Sequence, residues 1–165
     1  MAIEILKRLA MLVVLTLAQA LVFNRIHFLG YAMPLLLVYF AIIIPRGYPR
    51  WATLLWCFTL GLAVDLFSDT PGAAAGAMTF VALLQPYVLE LFIPREAPAN
   101  MEISIKQMGS TKFISIATFL ILVYCLTFFS LEMFSFANWL TWGLYVVGST
   151  LLTLMLVLAF ESVRR

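Results

Sequence analysis

Few residues in this sequence carry chemistry, and they are widely spaced. Asp65 and Asp69 stand four apart, which puts both carboxylates on one face if a helix continues through them. Two carboxylates at that spacing suit a cation, but nothing nearby supplies a full ligand set. Asp65 lies within an apolar run, where an ionisable side chain costs about 2.5–3.5 kcal/mol at mid-bilayer on insertion scales. It has two readings. In one it sits inside a bundle and bonds a helix end, a ligand or Arg25; in the other it reaches the interface as a helix-end residue. A structural role is favoured. Gln85 precedes Pro86 in mid-run; the proline frees a backbone carbonyl, and Gln85 can satisfy it or a neighbouring helix. Glu90 follows one turn later and reads as interfacial. His27 stands alone. Cys57 and Cys125 lie in apolar runs and read as small buried hydrophobes. No Ser-His-Asp set, metal motif, phosphate loop or acid–base pair is visible. The sequence therefore predicts no enzyme activity, catalytic residue, cofactor or metal.

The elements that position these residues are set by composition. The 165 residues are 64% hydrophobic and 11% charged, with a mean hydropathy of +1.06. Soluble domains are nearer about half apolar and a quarter charged. An integral membrane protein follows. The net charge of +2 is spread through short loops and forms no patch for nucleic acid. Lys7 and Arg8 before an apolar run, with Ala18-Gln19-Ala20 beyond, resemble a secretory signal. More membrane-type sequence follows instead of an exported domain, so the first run is expected to be retained.

The fold class predicted is all-α, a single bundle of six transmembrane helices over residues 1–165. The spans are about 5–23, 31–44, 51–67, 72–93, 113–134 and 139–161. The second is short: at about 1.5 Å per residue it covers about 21 Å, against a bilayer core of about 30 Å. It is buried among neighbours, extends into its flanks, or dips partway. Pro34 suits its first turn, and Pro45 ends it before a turn containing Gly47. With the N-terminus in the cytoplasm, nine of the ten Lys and Arg residues fall inside and only Arg25 outside. That bias supports an even number of spans and cytoplasmic termini. Trp51, Trp139 and Trp142 fall at span ends, as interfacial rings do, and Asn138 suits an N-cap for the last span.

Between the third and fourth spans, Asp69 or Thr70 can cap a helix with Pro71 at its first position. Gly72 and Gly76 form a small-residue pair among alanines, and Gly61 and Ala63 extend the small surface. Such residues let helices approach closely. The polar loop 94–112 is placed in the cytoplasm. Its Met101–Lys106 stretch alternates, as a short strand or an interfacial segment does. Lys106 and Lys112 meet lipid headgroups on the plainer reading, or a partner on the other.

Taken together, Pro34 in Met-Pro-Leu-Leu-Leu-Val, Gly47, the Gly61-Leu-Ala-Val-Asp65-Leu segment, Pro71-Gly72 and Gly76 resemble the MreD family of bacterial rod shape-determining membrane proteins. The resemblance covers essentially the whole chain. It implies a non-enzymatic scaffold in the inner membrane, within the complex that elongates the cell wall. The partners implied are an MreC-like bitopic protein, a RodA-like polymerase, a penicillin-binding transpeptidase and, indirectly, an MreB-like filament. It also implies a fold similar to the substrate-binding components of energy-coupling-factor vitamin transporters, with an outward pocket beside Asp65. Such a component is the alternative function. Its alanine-rich docking motif is not matched by Ala10, Ala18 and Ala20 of the first span. A lipid-modifying enzyme ranks last, for want of catalytic residues.

Overall fold

The computed structural model describes residues 2–21, 36–45, 47–68, 72–98, 101, 103–133 and 139–164. Seven helices lie within them, and the described residues contain no strand: α1 (Ala2–Leu21), α2 (Val38–Ile42), α3 (Arg50–Ser68), α4 (Ala73–Phe92), α5 (Ile105–Met108), α6 (Ser110–Met133) and α7 (Trp139–Arg164). Four of these, α3, α4, α6 and α7, are long and apolar enough to cross a membrane. Each leaves a face of large apolar side chains uncovered, such as Leu140, Leu144, Val147 and Leu151 on α7. In water that much exposed apolar surface would drive aggregation; against lipid tails it is matched.

The other two expected spans differ. α1 is 20 residues long, but Glu4, Lys7 and Arg8 occupy its first two turns, so only residues 9–21 form an uncharged run. Of the expected span 31–44, residues 36–44 are described, and their helix has 5 residues. That part is a short helix buried among its neighbours, too short to cross a membrane by itself.

α4 and α6 are the centre of the packing. α3 and α6 flank α4, α7 packs on α6, and α1 lies on α3. Into this frame α2 is inserted, against α1, α3, α4 and α6. Residues 36–42 are all almost fully buried, and Tyr39 and Phe40 are among the largest enclosed side chains. Tyr39 meets the Phe160 ring of α7, with centroids 5.6 Å apart. Phe40 meets Trp56 of α3 at 6.5 Å.

The strand option for residues 101–106 is corrected. The described part of this stretch leads into α5, whose N-cap is Ser104, with its hydroxyl accepting from Gln107 N at 3.4 Å. Ile103 is buried beneath. A capping serine and a buried isoleucine explain the polar–apolar alternation without a strand.

Candidate functional site

Asp65 is 4% exposed and bonds a helix end. Its Oδ1 accepts from Ala74 N and its Oδ2 from Ala75 N, both at 3.0 Å. These N–H groups belong to the first turn of α4, where no intrahelical carbonyl is available to them. A carboxylate there also meets the positive end of the helix dipole. α4 needs this help because its N-cap is Gly72, in the left-handed region at φ +86°, with no side chain to offer. The expected cap at Asp69 or Thr70 with Pro71 at the first position is therefore corrected: α4 starts at Ala73, and the acceptor comes from the preceding helix. Asp69, Thr70 and Pro71 themselves lie outside the described residues.

Gly61 stands one helical turn before Asp65, and it lets α3 come close enough for those bonds. A Cβ on Gly61 would lie 2.5 Å from Ala75 Cα and 2.7 Å from Ala74 O. Both are backbone atoms, so α3 and α4 meet main chain to main chain. The Gly72–Gly76 pair does not do this jointly. Gly72 precedes the helix and faces open space, while a Cβ on Gly76 would meet only the Leu131 side-chain tip of α6, at 3.1 Å. The i,i+4 spacing places two residues on one face only when both are helical, and Gly72 is not. The alanines around them, Ala73, Ala74, Ala75 and Ala77, are buried inside the chain's own bundle.

A second polar group surrounds α2. Its entry is held by Gln19 of α1, whose Oε1 accepts from Leu36 N at 3.0 Å. Its exit is held by Gln85 of α4, whose Nε2 donates to Ala41 O and Ile44 O, both at 3.0 Å. Its middle is held by Glu161 of α7, whose Oε2 accepts from Tyr39 Oη at 2.9 Å. The other Glu161 oxygen accepts from Ile105 N at 3.2 Å, the first residue of α5. Short helices carry a high proportion of unpaired backbone groups, and in a lipid-filled environment each must be answered from within the protein. Gln85 thus serves a neighbouring segment, while α4 runs on through Pro86. Gln19 and Glu161 belong to the site although neither is singled out by the sequence reading. The signal for both was a polar side chain within or at the end of an apolar helix.

The remaining sequence candidates are dispersed. Gly47 is exposed in the turn before α3 and lines a cleft described below. Glu90 is exposed. Cys57 and Cys125 are buried free thiols. Pro34, Arg25, His27 and Asn138 lie outside the described residues. Among the described residues no three His, Cys, Asp or Glu side chains come together as a metal site would need. No family model matches the chain, and no curated protein or solved structure matches it either.

Proposed function

We propose that this chain is a non-enzymatic scaffold of the bacterial cell-wall elongation complex, a six-span protein of the inner membrane with both termini in the cytoplasm. The resemblance to the MreD family suggests the complex, and one observation carries the scaffold role. The buried Gln19, Asp65, Gln85 and Glu161 side chains all bond main-chain groups of other elements. Polar groups spent in that way give a fixed shape against which other membrane proteins can assemble. The segment Gly61–Asp65, which carries the most specific part of the resemblance, has a packing task of this kind: the glycine admits α4 and the aspartate secures it.

Partner helices need an apolar face that the chain does not use itself. The alanine face of α4 is already occupied by α3 and α6, so it is not where an MreC-like helix would dock. The uncovered apolar ridges, those of α1 and α7 among them, are the available ones.

Crosslinking in intact membranes, followed by recovery of a tagged chain, tests the proposal. Capture of MreC-like and RodA-like proteins is the expected result. Capture of a coupling subunit with its ATPases would replace the scaffold by the transporter reading.

A further inference from the structure

At the end of the bundle where α1 begins and α2 leads into α3 lies a cleft of about 510 Å³, within the range of small-molecule sites. Glu4, Lys7 and Arg8 of α1 line it together with Tyr48 of the turn before α3, over apolar side chains that include Phe40 and Ile43. The Arg8 guanidinium lies 4.0 Å from the centre of the Tyr48 ring. Tyr48 is itself held, because its hydroxyl accepts from Trp56 Nε1 at 3.1 Å. That bond leaves the Tyr48 hydroxyl proton to donate elsewhere. A guanidinium held over a ring in this way still has N–H groups to offer an oxygen acceptor.

We propose that this cleft binds the headgroup of an anionic phospholipid. The phosphate sits at the Arg8 edge with Lys7 and the Tyr48 hydroxyl, and the start of an acyl chain lies on the apolar floor. Among the described lining residues two cations stand against one carboxylate, a positive balance that suits an anionic headgroup. The mixed lining favours a lipid over free phosphate, which has no use for apolar floor residues. The cleft lies at the end of the bundle that carries Lys7, Arg8 and Arg50, the end that charge bias assigns to the cytoplasmic leaflet. The proposal needs no partner protein, so it stands or falls separately from the scaffold reading.

The test is native mass spectrometry of the purified full chain, titrated with phosphatidylglycerol or phosphatidylcholine. Phosphatidylglycerol is expected to bind more tightly. Arg8→Gln should weaken it about fivefold, the order expected for one basic residue at an anionic surface. Arg8→Lys, which keeps the charge but loses the planar fork, should fall between. Glu4→Gln should tighten binding, and Lys112→Gln, an exposed cation on α6, should leave it unchanged. Should Arg8→Gln misfold, Arg8→Lys and Glu4→Gln still decide the matter by shifting affinity in opposite directions. Equal binding of the two lipids, or equal losses in Arg8→Gln and Lys112→Gln, would overturn the proposal. Displacement of the lipid by inorganic phosphate would also overturn it and assign the cleft to a soluble anion.

Discussion

A single carboxylate fastens two of the long helices to each other. If Asp65 is replaced by Ala, Ala74 N and Ala75 N remain buried without their acceptors, and the protein should lose about 3 kcal/mol, the order for bonds to a charged group. Asp65→Asn keeps one acceptor and turns an amide N–H toward the other donor, so it should cost about half as much or more. Unfolding followed by maleimide labelling measures this directly, because the reporters are already present in the buried Cys57 and Cys125 thiols. The glycines should separate in the same assay. Gly61→Ala drives a methyl into backbone and should cost about 1–3 kcal/mol through overpacking, more if the Asp65 bonds lengthen too. Gly76→Ala meets only the tip of Leu131 and gains helix propensity, so its effect should be close to neutral. An outcome in which Gly76→Ala is the more damaging would remove the α3–α4 contact from its central place. Asp65 was legible in the sequence because a carboxylate within an apolar run must find donors. Its donors were legible only as one of three options, a helix end beside a ligand or Arg25, since main-chain N–H groups have no residue signature. Gly61 was legible as a small residue, but its importance depends on the register of α4 against α3, which no local pattern encodes.

Among the elements, α3, α4, α6 and α7 could be read directly, since lipid exposure demands long apolar runs and short polar breaks. α2 was legible only as a span too short for a bilayer, with burial among neighbours one of three options, because a helix of five residues is too short to show a period. What marks it is remote: the amide of Gln85 and the carboxylate of Glu161, which look from the sequence like a proline neighbour and a helix-end acid. Two predictions belong at this scale. Gln85→Leu keeps the bulk but strands Ala41 O and Ile44 O, and should cost about 1–3 kcal/mol. Glu161→Leu removes both acceptors, so Ile105 N and the Tyr39 hydroxyl lose them and α5 is released. Limited trypsin digestion should then cut at Lys106 sooner than in the unaltered chain, while Lys112→Gln, which touches neither donor, should leave the Lys106 cut unchanged. Unaltered cleavage in Glu161→Leu would mean that α5 is held by Ile103 and its α6 contacts alone.

For the whole molecule, the frame of long helices encloses a short one that cannot hold itself. The bond between Tyr39 and Glu161 joins residues 122 apart in sequence, and Gln85 reaches back more than forty residues to Ala41 and Ile44. Chains leave the ribosome from the N-terminus, so α2 emerges long before two of the three side chains that secure it have been made. Its segment must wait in a provisional state at the membrane until α4, and then α7, arrive. Closure of the bundle around α2 is therefore tied to synthesis of α7. A ribosome stalled before Glu161 should leave residues 36–44 open to proteolysis, and release of the full chain should close them.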